Sequence, residues 1–136
     1  AGGASIKELL ASRGLDFPEL VIGNGSGLSR EALISGDSMA RLLVGAWKSR
    51  YAPEFLASLS LGGLDGTLRQ RFEKVDDPSR IRMKTGTLKD VSNIAGYVAG
   101  KSGKHYVVVV YINHPGVQNG VGELIQGAVV EWVLGQ

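Results

Sequence analysis

The chain has 136 residues, 43% of them apolar and 21% charged, with fifteen basic and thirteen acidic side chains and no cysteine. That is enough chain for one domain with a real core, and too ordinary a composition for a disordered or fibrous protein. A net charge of +2 without a basic stripe argues against nucleic acid, and the lack of cysteine excludes a disulfide framework, a thiolate metal site and a cysteine nucleophile.

The chain opens on Ala1-Gly2-Gly3 with neither methionine nor signal peptide, which predicts a removed leader or a piece of something longer. Residues Ser5 to Arg13 place Ile6, Leu9 and Leu10 on one face, with Ser5 able to cap the start and Gly14 the end, and predict a short amphipathic helix. Leu20-Val21-Ile22 reads as a short buried strand, and Gly23 to Arg30 as a tight glycine-rich turn. A second helix is expected from a Ser35 cap to about Arg50, with Met39, Leu42, Leu43, Ala46 and Trp47 at helical spacing and Lys48 and Arg50 in its last turn. Pro53 begins a third, through Leu59, and a brief helix is expected around Thr67 to Phe72.

The period then changes. Arg80 to Thr85, Asn93 to Ala99 and His105 to Asn113 read as three consecutive antiparallel strands, the last two joined by a hairpin at Gly100 to Lys104. The longest apolar run, Tyr106 to Ile112, has strand length rather than the ~20 residues of a bilayer span. A closing helix from about Val121 to Leu134 would bury Leu124, Ile125, Ala128, Val129, Trp132 and Val133. The expected class is α+β, an antiparallel sheet of three consecutive strands covered by helices.

Arg82-Met83-Lys84-Thr85-Gly86-Thr87 holds the densest set of groups suited to a carboxylate or a developing oxyanion. In a strand, Lys84 and Gly86 would point one way and Thr85 and Thr87 the other, unless the glycine breaks the pleat. Lys84 supplies positive potential, Gly86 lets a substrate backbone approach the strand edge, and the threonine hydroxyls offer hydrogen bonds. Against this stands the plainer reading of a solvated strand end before a turn. Gly25-Ser26-Gly27 resembles a nucleophile elbow, but Asn24 and Leu28 stand where its outer glycines belong, so a structural glycine turn is the better reading. His105 and His114 lack ligand spacing, Asp76-Asp77 reads as a solvated loop before Pro78, and neither a metal nor another cofactor is expected.

Taken together, Gly25-Ser26-Gly27-Leu28-Ser29-Arg30, Gly63-Leu64-Asp65-Gly66-Thr67-Leu68, Lys84-Thr85-Gly86-Thr87-Leu88 and Asn93-Ile94-Ala95-Gly96-Tyr97 resemble the C-terminal part of the D-Ala-D-Ala carboxypeptidase/endopeptidase family. These are the class C low-molecular-mass penicillin-binding proteins, peptidase family S13, and the resemblance runs from about Ser5 to Trp132. It implies a fragment of a β-lactamase/transpeptidase-like fold, acyl transfer by a serine, and peptidoglycan D-Ala-D-Ala peptides and β-lactams as partners of the complete protein in the periplasm or bacterial envelope. The family's Ser-x-x-Lys and Ser-x-Asn motifs are absent: no serine here has lysine three positions on or asparagine two positions on. Both are expected upstream of Ala1, in a missing N-terminal part of the same domain, which makes the chain inert alone. By the same resemblance Lys84 is catalytic, while Thr85, Gly86 and Thr87 bind substrate. The family's sheet would place two further strands beside His105 to Asn113, whose edge is otherwise bare and predicts a homodimer. The alternatives are a stand-alone module binding peptidoglycan or a partner protein, and an unrelated enzyme using Ser26.

Overall fold

A computed structural model describes residues 2–136, which form two compact units divided between Leu42 and Leu43. In the first unit, helix α1 spans Gly2–Ala11, beginning three residues before the expected Ser5 cap, so Ser5 lies inside it. Gly14 does end it. At φ 74° this residue lets its own N–H reach the Ala11 carbonyl and the Leu15 N–H reach that of Leu10, closing two of the last turn's open acceptors. No residue of α1 is buried, so the expected apolar face of Ile6 and Leu9 meets solvent. The strand expected at Leu20 to Ile22 is a single bridge, Val21 to Leu33, because the glycines that follow offer no side chains to extend the pairing.

Helix α2, Gly36–Trp47, starts as expected, with the Ser35 hydroxyl accepting the Ser38 N–H at 3.1 Å. It stops short of Lys48 and Arg50. The Ser49 hydroxyl takes the Ala46 carbonyl at 2.8 Å and accepts from the Tyr51 N–H, which turns the chain aside. Within the first unit, Glu19 accepts hydrogen bonds from the Ser35 N–H and hydroxyl at 3.2 and 2.7 Å. The Ser38 hydroxyl, then that of Ser35, lower its pKa from 4.5 to about 2. A folded-state value below the unfolded one contributes stability that is complete above pH 4.5 and is lost as pH falls toward 2. Glu19→Gln should therefore flatten the loss of stability across that window in acid titrations followed by circular dichroism. An unchanged acid limb would refute the linkage.

The second unit opens with the end of α2 and helix α3, Ala52–Ala57, with Pro53 in its first turn. Strand β1, Ser60–Leu61, was not expected, since two residues carry no readable period. Only a 3₁₀ turn, Gly66–Leu68, replaces the helix expected at Thr67 to Phe72, and Phe72 at φ 62° is incompatible with a helix. Strand β2 covers Ile81–Leu88, β3 Val91–Ala99 and β4 His105–Asn113. The sheet is antiparallel in the order β1-β2-β3-β4, so the predicted meander stands with one short strand added. Helix α4, Val121–Leu134, closes the chain.

α4 covers one face of the sheet, where Leu68, Ile81, Met83, Ile94, Val98, Val108, Val130 and Val133 form the core. The helix is rotated from expectation. Gly122, Gln126, Val130 and Val133 are its buried residues, while Leu124, Ile125, Ala128 and Trp132 are exposed, Trp132 to 68%. The cause is polar. Gln126 is 1% exposed, donating from Nε2 to the Ser92 hydroxyl at 2.9 Å and accepting on Oε1 from Arg71 at 3.1 Å. Gly122 seats against Ser92, where a side chain would collide. These contacts fix the helix face that a reading of apolar spacing places about a third of a turn away.

Candidate active site

The predicted site residues lie on β2, whose register with β3 is unbroken: Lys84 faces Ala95, Thr85 faces Ile94, Gly86 faces Asn93 and Thr87 faces Ser92. Gly86 does not disturb the pleat, so successive side chains alternate. Ile81 and Met83 are buried on the α4 side, which puts Thr85 and Thr87 on that side and Arg82, Lys84 and Gly86 on the other. The strand brings the four residues together in sequence and divides their side chains between two faces.

What unites them is the strand margin. The Gly62 N–H donates to the Ile81 carbonyl at 3.2 Å, so the main-chain groups of Ile81 and Met83 face β1, and by alternation those of Thr85 and Thr87 point the same way. β1 begins at Ser60, opposite Met83, and no described strand continues it. From Lys84 onward the margin is open, with the N–H and C=O of Thr85 and Thr87 aimed outward. Lys84 Nζ reaches over this margin to the Thr85 carbonyl at 2.7 Å. A cation thus stands beside an unpaired strand edge, an arrangement able to pair with an extended backbone and hold its carboxylate.

Three supports hold the strand in place. At its end, the two-residue turn Lys89-Asp90 puts Asp90 at φ 61°. The Asp90 carboxylate accepts the Gly116 N–H at 2.9 Å and its carbonyl that of His114 at 3.0 Å. At its start, Arg82 donates to the Leu56 carbonyl of α3 at 3.3 Å. On the margin, the Thr85 hydroxyl donates to that of Thr67 at 2.8 Å. Thr67 had stood out only as part of a family block; eighteen residues separate the two hydroxyls, and no local pattern announces their contact. Asp65 of the same block accepts the Leu61 N–H at 2.7 Å and shapes the corner that leads into Thr67.

On the Lys84 face, Gly86 leads across the sheet to Asn93 and Tyr111, and Arg82 to Tyr97 and Val107. Tyr97 donates its hydroxyl to the Leu43 carbonyl at 2.6 Å and packs against Trp47 and Phe55, ring centroids 5.3 and 6.4 Å away. Burial pushes its pKa up to about 12. The other sequence candidates are accounted for locally. Ser26 donates its hydroxyl to Asn24 Oδ1 at 2.6 Å and accepts from the Leu28 N–H, a closed turn with no base attached. Asp77 caps the 3₁₀ turn before β2, where bonding to Ser79 holds its carboxyl below the usual range. Among the described residues no three His, Cys, Asp or Glu side chains cluster as metal ligands. None of the described helices is long and apolar enough to cross a membrane.

The model of the D-Ala-D-Ala carboxypeptidase 3 (S13) family matches residues 1–135. A D-alanyl-D-alanine carboxypeptidase of an Actinomadura species is 35% identical over 121 residues, covering 85% of this chain and 22% of the relative. The D-alanyl-D-alanine carboxypeptidase DacB of Haemophilus influenzae is 30% identical over 114 residues, covering 82% of this chain and 24% of its own length. Among solved structures, penicillin binding protein 4 of Haemophilus influenzae in complex with a β-lactam matches with a TM-score of 0.82 at 25% identity, over 97% of this chain and 32% of that one. A predatory endopeptidase from Bdellovibrio bacteriovorus, solved with an immunity protein, shares the fold at a TM-score of 0.72 and 20% identity, over 96% of this chain and 36% of that one. The chain spans about a quarter of the length of the curated relatives it matches. The fold is an α+β piece of the transpeptidase-like architecture, and the chain belongs to the D-Ala-D-Ala carboxypeptidase S13 family.

Proposed function

We propose that this chain is the C-terminal portion of the transpeptidase-like domain of a serine D-alanyl-D-alanine carboxypeptidase/endopeptidase of the bacterial envelope, working in the periplasm. The complete protein would cleave peptidoglycan stem peptides through an acyl-enzyme and would be acylated by β-lactams. The observation that carries this reading is the open margin of β2, where the Lys84 ammonium stands over the outward carbonyl of Thr85 in a chain of this family. Lys84 would attract the terminal carboxylate and steady proton transfer, while the outward main chain of Thr85 and Thr87 pairs with the substrate backbone and Gly86 leaves room for it. The Thr85 hydroxyl, bonded to Thr67, would hold the margin in shape from the other face.

The reading also assigns nucleophile and base to sequence outside these 136 residues, since no Ser-x-x-Lys or Ser-x-Asn occurs within them. Groups that act as a catalytic unit fail together, so the chain alone should not be labelled by a fluorescent penicillin. Covalent labelling of the isolated chain would overturn the proposal. In the complete polypeptide, Lys84→Ala should slow labelling by about a hundredfold or more while leaving the melting temperature near that of the parent. An unchanged rate would remove Lys84 from the chemistry.

A further inference from the structure

The corner between β1 and β2 holds one exposed threonine beside the lysine strand. Leu68 is fully buried in the core and anchors the 3₁₀ turn Gly66–Leu68. Its carbonyl accepts the Gly63 N–H at 3.0 Å, and its own N–H donates to the Asp65 carbonyl at 3.1 Å. The Asp65 carboxylate takes the Leu61 N–H at 2.7 Å. Gly66 stands at φ 53°, and a side chain there would run into the Ser60 hydroxyl, so the path of the chain leaves little choice of conformation. Thr67 lies within this corner with its side chain exposed, and none of these contacts uses its hydroxyl. What that hydroxyl reaches is Thr85, 2.8 Å away.

Thr85 follows Lys84 on β2, with its side chain on the α4 side of the strand and its main-chain N–H and C=O on the open margin. Lys84 comes over that margin from the opposite face. A carboxylate brought to the margin therefore meets an ammonium from one side and the Thr85 hydroxyl from the other. A hydroxyl has one proton and two lone pairs. While Thr85 donates to Thr67, it turns only lone pairs toward an anion. Rotating both hydroxyls reverses the bond: Thr67 donates, the Thr85 oxygen accepts, and the Thr85 proton is released toward the margin. The reversal moves no heavy atom and keeps the 2.8 Å contact. Hydroxyls in series that end on an anion polarise one another, which strengthens the final bond.

We propose that Thr67 is a positioning residue of the active site, orienting the Thr85 hydroxyl to donate to the substrate's terminal carboxylate and thereby favouring substrates that end in a free carboxylate. The proposal rests on the carboxypeptidase reading of the Lys84 strand and adds to it a residue outside the stretch from Lys84 to Thr87. No bond is made or broken at Thr67, which acts only through Thr85.

The test uses the complete polypeptide with a fluorescent penicillin, which carries a carboxylate, and with its methyl ester, which does not. Thr67→Val keeps the shape of the side chain and removes the hydroxyl. It should slow labelling by the penicillin about tenfold, leave labelling by the ester at the parental rate, and keep the melting temperature within about 3 °C of the parent. The ratio of the two rates is a readout that a deformed corner would not move, since deformation slows both. Thr67→Ser retains the hydroxyl and should label at the parental rate, which decides the matter where the ester reacts too slowly to follow. A Thr67→Val protein that labels like the parent overturns the proposal. So does one slowed equally with both probes, and so does a Thr67→Ser protein as slow as Thr67→Val. The underlying reading fails separately: if Lys84→Ala loses labelling while Thr67→Val keeps it, only the role of Thr67 falls, whereas a complete polypeptide that no penicillin labels removes both.

Discussion

Replacing Gly96 by alanine should cost the second unit about 3 kcal/mol or more, a large part of a domain's usual 5–15 kcal/mol. Gly96 lies opposite Met83, one residue before Lys84. An added Cβ would stand 2.6 Å from the Met83 Cα and against the Arg82 carbonyl oxygen. Both are backbone atoms of the neighbouring strand, so relief requires opening the β2–β3 pairing rather than turning a side chain. The measurement is a urea titration, in which the midpoint should fall while the slope stays constant. A midpoint shift worth less than about 0.5 kcal/mol would mean that the strands yield easily and that Gly96 has no structural hold on the lysine strand.

The second large effect is expected at Gln126. Leucine at this position has a similar volume but leaves the Ser92 hydroxyl and the inner side of the Arg71 guanidinium without the partners they have at 2.9 and 3.1 Å. Burial already lowers the Arg71 pKa, and its remaining bond, to the Glu123 carbonyl at 3.4 Å, is long. Each group deprived of its partner costs about 1–3 kcal/mol, so Gln126→Leu should destabilise by about 2–4 kcal/mol overall. A double-mutant cycle with Ser92→Ala should recover part of the loss, because removing the orphaned hydroxyl removes its penalty. A neutral or stabilising Gln126→Leu would show instead that this polar knot is dispensable.

The same glutamine marks where sequence reasoning reached its limit. β4 and α4 were legible in extent: a run of β-branched and aromatic residues between turns reads as a strand, and apolar residues recurring at helical spacing from Leu124 to Val133 mark the helix. The face of α4 was not. Apolar spacing assumes that apolar side chains go inward, and here Gln126 is buried by two hydrogen bonds while Leu124 and Trp132 stay outside. β1 was invisible for a different reason. A pair of residues is recruited by β2 after folding and shows no preference of its own. At the candidate site, the Lys84-to-Thr87 stretch and the split of its side chains followed from the two-residue pleat alone. The contact of Thr85 with Thr67 and the clash that demands Gly96 depend on which strands meet, which only the folded sheet reveals.

The order of the sheet has a kinetic consequence. Each strand lies beside its neighbour in sequence, with two residues closing β2 onto β3 and five closing β3 onto β4. Bringing the ends of such short loops together costs little chain entropy, and arrangements of this kind sit at the rapid end of sheet formation. The strand carrying Lys84 therefore acquires its register from segments within about thirty residues of itself. The most distant of these contacts is made by α4, whose Gln126 meets Arg71 across 55 positions of chain and is expected to form last. A polypeptide built this way assembles its lysine wall early and locks it late.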